Sequence, residues 1–190
     1  MHGHSLVEAL VALTVLCVVA AMATPSVLAA RDDARARSAA DYVASLFELA
    51  RVEALKRHVN VALRFEPDEG GVRYAMYADG NRNGVRSADI DEGIDPRIRA
   101  AERVEQQCPG VAFAIDALAR SVDGESTPGV AAIQLGRSRM VSFSPLGTSS
   151  SGTVYLLGRG HRQFAVRVLG PTGRIRTLEF NFAASAWQPR

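Results

Sequence analysis

An uncharged apolar run of bilayer length constrains this chain more than any other feature. Residues 9–30 contain no charged side chain and consist mostly of Ala, Val and Leu. A helix of about 20 such residues spans the hydrocarbon core of a membrane. One carboxylate, Glu8, stands at the start of the run. Because an ionisable group at the edge of a bilayer-length helix is costly to bury, we expect Glu8 to have a function and a partner.

Two other interpretations of the run stay open at this point. A secretory signal peptide has a basic start, a shorter apolar segment and a small-residue cleavage site. The Ala-Met-Ala sequence at 21–23 imitates such a site, but no Lys or Arg precedes the run and the run is long. The second interpretation is a simple membrane anchor, in which Glu8 lies among the lipid headgroups and has no function.

The spacing of Gly3, Glu8 and Pro25 resembles the N-terminus of type IV pilins and of the pseudopilins of type II secretion systems. Glu8 is the fifth residue after Gly3, and Pro25 is the twenty-second. The resemblance implies that a prepilin peptidase cuts between Gly3 and His4 on the cytoplasmic side and then N-methylates His4. The chain departs from the family pattern in two respects. His4 stands where Phe is usual, and the leader of residues 1–3 lacks Lys and Arg.

The chemistry of Glu8 fits this spacing. Cleavage would leave a free amine at His4, one helical turn before Glu8. In a bundle of such helices, Glu8 of one subunit can pair with the N-terminal amine of a neighbour. An unpaired carboxylate away from water costs several kcal/mol, so the pairing would set the stagger between subunits. Pro25 lacks a backbone N–H, which predicts a bend or local melting of the helix there.

The length of 190 residues allows one soluble domain beyond the apolar run. We expect four segments along the chain. These are a prepilin leader at 1–3, a transmembrane and assembly helix at 4–30, the soluble half of that helix at 31–57, and a periplasmic β-rich domain at 58–190.

Hydrophobic spacing predicts one long helix followed by strands. Tyr42, Leu46 and Leu49 recur with helical spacing, and the helix is expected to end near Arg57. From residue 59 the apolar residues fall at alternate positions, which predicts two strands with a hairpin turn at 70–71. This order predicts an α+β fold in which an antiparallel sheet packs on the second half of the helix. Further strands are predicted at 111–115, 130–135, 139–144, 153–157, 162–169 and 174–182, and a short helix around 97–107.

The soluble part resembles the GspH/FimT-type minor pseudopilins in four places: 49–57, 79–84, 143–147 and 172–176. The resemblance implies a pilin fold and a low-abundance structural subunit at or near the tip of a fibre. It also implies a single pass through the inner membrane with a periplasmic C-terminal domain. The implied partners are other major and minor pseudopilins, the prepilin peptidase and an inner-membrane assembly platform.

A polar loop after the second predicted strand is a candidate calcium site. Three oxygen-bearing side chains alternate over 79–83 and precede Gly84, as at the start of an EF-hand loop. The Glu that such a loop needs at its twelfth position is absent, since Ile90 stands there. The alternative is a polar turn that bonds to itself. The five candidate ligands are Asp79, Asn81, Asn83, Asp89 and Asp91.

Charge is unevenly distributed along the chain. Residues 66–125 carry 13 acidic and 7 basic side chains, a net charge of −6, whereas residues 130–190 carry 8 Arg and one acid, a net charge of +7. The basic half contains the sequence Gly-Arg-Ile-Arg at 173–176. This sequence matches a Gly-Arg-x-Arg motif through which some FimT-type minor pilins are thought to bind incoming DNA.

The candidate DNA-binding residues are Arg174, Arg176, Arg159 and Arg162. Arg174 and Arg176 are two apart on a predicted strand and leave the same face, so with Arg159, Arg162 and Arg167 nearby in the sequence they could form a basic stripe that holds phosphates. Such binding would be salt-sensitive and independent of base sequence. The alternative is that these arginines pair with acidic residues of neighbouring subunits.

An enzymatic function has little support in the sequence. The four His do not have metal-ligand spacing, and there is no nucleophile-elbow Gly-x-Ser-x-Gly. Cys17 lies in the apolar run and Cys108 in the soluble part, so we expect no disulfide and a buried Cys108. The sequence therefore predicts a structural protein without a cofactor, with DNA binding as the alternative and a membrane-tethered enzyme as the third class.

Overall fold

The computed structural model describes residues 5–124 and 131–190 and contains one long helix with two antiparallel sheets. The helix, α1 (Leu6–Arg57), packs with its second half against both sheets. The predicted α+β class is therefore confirmed, although the strands form two sheets rather than one. In chain order the other elements are β1 (Val61–Asp68), β2 (Gly71–Ala78), α2 (Ser87–Asp91), β3 (Arg97–Arg103), α3 (Val104–Gln107), β4 (Ile133–Gln134), β5 (Met140–Phe143), β6 (Gly152–Gly158), β7 (Arg162–Leu169), β8 (Arg174–Asn181) and β9 (Ala186–Pro189).

The helix α1 is continuous and well capped. It ends at Arg57, where the periodicity predicts its end, and His58 closes it in the left-handed conformation with φ of 55°. It also runs through Pro25 without a break, so the predicted local melting is not present in the single chain. Pro25 removes only one backbone donor. The neighbouring Thr24 hydroxyl donates to the carbonyl of Ala20 at 2.8 Å.

The two halves of α1 differ in burial. Residues 6–30 are exposed along their whole length, whereas the second half buries one face. Of the predicted stripe, Leu46 is fully buried, while Tyr42 and Leu49 lie at the margin of the core. The buried residues of α1 are Ala36, Ala39, Ala40, Val43, Leu46, Phe47, Ala50 and Ala54.

The first sheet has the strand order β3-β2-β1-β5. The predicted hairpin of β1 and β2 is confirmed. The predicted helix around 97–107 is wrong over most of its length, because residues 97–103 form β3 and only α3 is helical. Pairing with β2 outweighs the helix-forming composition of this segment.

The second sheet has the strand order β4-β6-β7-β8-β9. Strands β6, β7 and β8 lie where the sequence predicts them, but β9 was not predicted. The predicted strand at 111–115 is wrong, since only one bridge, from Ala112 to Leu157, forms there. The core lies between α1 and both sheets. At its centre Phe47 of α1 contacts Phe65 of β1 and Phe143 of β5, with ring centroids 6.2 and 6.4 Å apart.

Candidate functional site

The exposed apolar half of α1 is the largest candidate interaction surface. Among the described residues, α1 is the one helix that is long enough and apolar enough to cross a membrane. Its large apolar side chains over 6–28 are exposed, from Leu10 at 53% to Leu6 at 79%. Exposed apolar surface of this extent requires either lipid or neighbouring helices as its surroundings.

The first turn of α1 holds Glu8 in a defined helical position. The Ser5 hydroxyl accepts a hydrogen bond from the backbone N–H of Glu8 at 3.3 Å. Ser-x-x-Glu is the sequence of a capping box, and the helix dipole favours a carboxylate in the first turn. Ser5 was not predicted from the sequence, although this motif before an apolar run could have revealed it. Gly3 and His4 lie outside the described residues, so cleavage and N-methylation stay predictions.

Three ion pairs join α1 to the second sheet just beyond the apolar half. Their helix members are spaced four residues apart, so they lie along one side of α1. Partly exposed pairs contribute little stability each, but a row of three favours one rotation of the helix against the sheet. We call them the junction pairs: Asp33–Arg162 (3.3 Å), Arg37–Glu179 (3.9 Å) and Asp41–Arg190 (3.3 Å).

Small residues bring α1 close to β6 at the same junction. Ala36, Ala39 and Ala40 are fully buried. A Cβ at Gly158 would lie 2.7 Å from the Cβ of Ala36, which is closer than real Cβ contacts. The backbones of the helix and the sheet therefore approach each other closely where the apolar half of α1 meets the domain.

A polar network ties the middle of α1 to the first sheet. The Tyr42 hydroxyl donates to Glu102 Oε2 at 2.8 Å, and the Tyr74 hydroxyl donates to the Tyr42 oxygen at 3.1 Å. Burial, and then the hydrogen bond to Tyr42, raise the pKa of Tyr74 far above its usual value. Burial likewise raises the pKa of Tyr42. Both hydroxyls therefore remain protonated donors at neutral pH.

The structure separates the four candidate DNA-binding arginines into two pairs. Arg174 and Arg176 are exposed on one face of β8. Arg159 and Arg162 lie at the opposite end of β7, roughly 23 Å away by strand rise. Arg162 also faces Asp33 of α1. The expected stripe is therefore wrong in its extent, because Arg162 begins β7 and Arg174 stands beside the other end of that strand.

Arg167, which is also a member of the predicted stripe, lies on the Arg174 side of the sheet. Arg167 of β7 lies directly opposite Arg176 in the antiparallel register, so both side chains leave the same face. Arg167 is paired with Asp123 at 2.8 Å. Neither Arg174 nor Arg176 forms an ion pair with any residue in the described part of the chain. DNA contact through these two residues stays a prediction.

The candidate calcium loop is held by its own hydrogen bonds. Asp79 Oδ2 accepts from the backbone N–H of Gly84 at 2.8 Å and from the Asn60 side chain at 3.1 Å. Burial of Asp79 opposes its ionisation, but these hydrogen bonds outweigh burial and hold the pKa of its carboxyl below the ordinary value. Asn81 donates to Asp89 Oδ2 at 3.1 Å.

The remaining two candidate ligands, Asp91 and Asn83, have other contacts. Asp91 pairs with Arg64 at 2.9 Å, and the backbone N–H of Asn83 donates to Asn81 Oδ1 at 3.2 Å. Asp95, which was not among the predicted ligands, is buried and accepts two backbone N–H groups of the loop at 2.9 and 3.0 Å. Within residues 5–124 and 131–190, no group of three or more His, Cys, Asp or Glu is arranged to hold a metal. The contacts are those of a self-bonded polar turn, and calcium binding stays a prediction.

His161 lines a cleft of about 340 Å³ and makes the one His–Asp contact among the described residues. His161 Nδ1 lies 2.5 Å from Asp116 Oδ2. The backbone N–H of Asp116 donates to Gln163 Oε1 at 2.7 Å, and the Gln163 side chain donates to three carbonyls. No Ser, Thr or Cys is among the lining residues. These contacts anchor the irregular segment 111–124 on β7.

The cysteines match the sequence-based expectation. Cys17 is exposed on the apolar half of α1, and Cys108 is buried; both are free. Burial raises the pKa of the Cys108 thiol, which keeps it protonated and unreactive.

Comparison with known proteins identifies the family. The sequence profile of the family described as type II transport protein GspH matches residues 39–173. Among solved structures, the chain is similar to the minor pseudopilin EpsH from the type 2 secretion system of Vibrio cholerae, with 14% sequence identity and a TM-score of 0.47, over 76% of this chain and 97% of that chain. Comparison with curated protein sequences gives no match. Because the profile covers well over half of its residues, the chain belongs to the GspH family of type II transport proteins.

Proposed function

We propose that this chain is a minor pseudopilin, a non-catalytic subunit at or near the tip of the pseudopilus of a type II secretion system. The observation that carries the proposal is the division of α1. One continuous helix has an exposed apolar half over 6–30 and a second half buried in a domain that belongs to the GspH family. The position near the tip rests on the resemblance to minor pseudopilins.

The apolar half of α1 has two successive environments in this proposal. It first anchors the chain in the inner membrane in a single pass, with the domain in the periplasm. The prepilin peptidase cuts between Gly3 and His4 and methylates His4. The inner-membrane assembly platform then passes the helix from lipid into a bundle of major and minor pseudopilin helices. Both environments are apolar, so the transfer does not expose residues 6–30 to water.

Glu8 determines the stagger of the helix in the bundle. Its carboxylate pairs with the N-terminal amine of a neighbouring subunit. The hydrogen bond from its N–H to the Ser5 hydroxyl supports this role, because it keeps Glu8 in the first helical turn and fixes the direction of its Cβ. Pro25 provides a position where α1 can bend during packing, since it lacks a backbone donor.

The junction pairs transmit this stagger to the domain. They lie directly after the apolar half and favour one rotation of α1 against the second sheet. A subunit that docks at a defined height in the bundle then presents its sheets at a defined height on the fibre.

The proposal is tested in cells that contain the prepilin peptidase and the other pseudopilins. The full chain should be recovered without residues 1–3 and should appear in the sheared-fibre fraction. Glu8→Gln should be cleaved normally but should be depleted from that fraction. Glu48→Gln is the matched control, because Glu48 is an exposed Glu on the same helix. Equal recovery of the two variants in fibres would contradict the proposal.

DNA binding for uptake is a second candidate function, favoured by the exposure of Arg174 and Arg176 on one face of β8. The cationic area is small, since Arg167 and Arg190 nearby are paired with carboxylates. Retention of double-stranded DNA by the full chain in detergent, lost in Arg174→Gln/Arg176→Gln and kept in Arg159→Gln, would support it. Equal retention by both variants would exclude these residues as the contact.

A further inference from the structure

Strand β8 has an edge that is only half covered. Strand β9 pairs with residues 178–181, and one more bond runs from the backbone N–H of Arg190 to the carbonyl of Thr177 at 3.1 Å. In the part of the chain that the structure describes, residues 174–176 pair with β7 on one side and with nothing on the other. An open edge of this kind presents backbone donors and acceptors that another strand can use.

The direction of the free backbone groups follows from the ladder. The carbonyl of Thr177 points toward the β9 side, because it accepts from Arg190 there. In an antiparallel strand, alternate residues direct both backbone groups to the same side. Ile175 therefore directs its N–H and its C=O toward the open edge, whereas Arg174 and Arg176 bond to β7.

The side chains along this edge alternate in character. Arg174 and Arg176 are exposed on the outer face, and neither forms an ion pair with a described residue. Ile175 lies between them on the inner face, half-buried and packed against the core. The edge opens into a cleft of about 450 Å³, lined by Arg174, Ile175, Arg176, Thr177, Pro189 and Arg190.

We propose that the edge of β8 binds an extended segment of another protein as an added strand, with acidic side chains facing Arg174 and Arg176 and an apolar side chain beside Ile175. The ladder bonds of Ile175 supply the affinity of strand addition, and the two arginines select acidic side chains at alternate positions. This interaction goes beyond assembly through α1 and does not depend on it.

The free edge of β3 is less suited to the same role. Its register with β2 shifts twice, between Tyr74 and Met76 and between Met76 and Tyr77. Irregularities of this kind twist an edge away from regular pairing. Two of its arginines are also already paired, Arg99 with Glu102 and Arg103 with Asp68.

A peptide fits the β8 edge better than a nucleic acid does. Ile175 offers a donor and an acceptor side by side, and a peptide backbone complements both. Phosphates can accept hydrogen bonds but cannot donate to the Ile175 carbonyl.

The test measures binding of a seven-residue fluorescent peptide that alternates Glu and Val to the full-length chain in detergent micelles. We expect saturable binding by fluorescence anisotropy and slower hydrogen exchange of the Ile175 amide in the complex. Arg174→Gln/Arg176→Gln should weaken binding about fivefold, as the loss of two exposed charge pairs predicts. Arg159→Gln, an exposed Arg at the other end of β7, should leave it unchanged.

A second peptide separates strand pairing from charge alone. N-methylation of alternate residues removes the donors that a ladder needs and keeps the charges, so this peptide should not bind. Equal binding of the methylated peptide, tighter binding of single-stranded DNA, or no binding of the unmethylated peptide would each overturn the proposal. A concentration-dependent dimer that the double Arg variant abolishes would also overturn it, because the occupant would then be a second copy of this chain.

Discussion

Gly158 of β6 packs directly on Ala36 of α1, so closely that a Cβ at position 158 would lie 2.7 Å from the Cβ of Ala36. The φ of Gly158 is −94°, which any residue adopts. Space, and not backbone conformation, therefore requires Gly at this position. The contact lies next to the first junction pair, Asp33–Arg162, where the apolar half of α1 meets the domain.

Gly158→Ala should destabilise the domain by about 1–3 kcal/mol, because the added methyl group overpacks a fully buried contact. Urea unfolding of the full chain in detergent, followed by tryptophan fluorescence, measures the change. Adding Ala36→Gly should recover part of the loss, although Gly inside a helix itself costs about 1 kcal/mol. If Gly158→Ala alone has the same urea midpoint as the parent, the helix and the sheet are not in the close contact described.

Tyr42→Phe should cost about 1–2 kcal/mol, because it removes the donor to Glu102 and the acceptor for Tyr74 from a partly buried network. Tyr77→Phe is the matched control. Tyr77 lies on β2, the strand that also carries Tyr74, and its hydroxyl has no hydrogen-bond partner among the described residues. Urea midpoints of the two variants should therefore differ, with only Tyr42→Phe below the parent. Equal midpoints would contradict a stabilising network.

The tyrosine network should also make stability fall at alkaline pH. Burial raises the pKa of Tyr74 above its usual value of 10.0, so the folded chain keeps a proton that the unfolded chain loses. This contribution is complete below about pH 10 and is lost as the pH rises above it. The free energy of unfolding should therefore decline less steeply above pH 10 in Tyr74→Phe than in the parent. Parallel declines would show that Tyr74 ionises normally in the folded state.

Asp79→Ala should destabilise the chain by about 1–3 kcal/mol with or without calcium, because Gly84 N–H and the Asn60 side chain lose their acceptor. Thermal unfolding in EDTA and in calcium measures both cases. A calcium-dependent rise in Tm of the parent that Asp79→Asn abolishes would instead identify a cation site in this loop.

Much of the fold follows from local patterns in the sequence. Apolar residues recur with helical spacing up to Arg57 and alternate with polar residues in β1 and β2, because each element buries one face. The predicted end of α1 and the predicted hairpin are both confirmed. β3 was missed because its residues are good helix formers and only pairing with β2 makes them a strand. β9 was missed because Ala, Gln and Pro give it a weak strand pattern, although Trp187 packs on Phe180.

The candidate site was predictable only where it is local. Glu8 and Pro25 could be found because they stand out against an uncharged helical run. The junction pairs could not, since partners such as Asp33 and Arg162 are far apart in the chain and meet only through the packing of β7 on α1. The same limit explains why Arg162 was grouped with Arg174, when the length of β7 separates them.

Comparison of Glu8→Gln with Glu48→Gln in cells that assemble fibres tests whether Glu8 pairs with a neighbouring subunit. Intact-mass measurement first verifies that residues 1–3 are removed from both variants, and quantitative immunoblotting then measures each in the sheared-fibre fraction. We expect Glu8→Gln to be processed and membrane-bound but to fall at least about tenfold in fibres, because a several-kcal/mol ion pair in an apolar bundle is lost. Incorporation of Glu8→Gln at the level of Glu48→Gln would contradict this pairing.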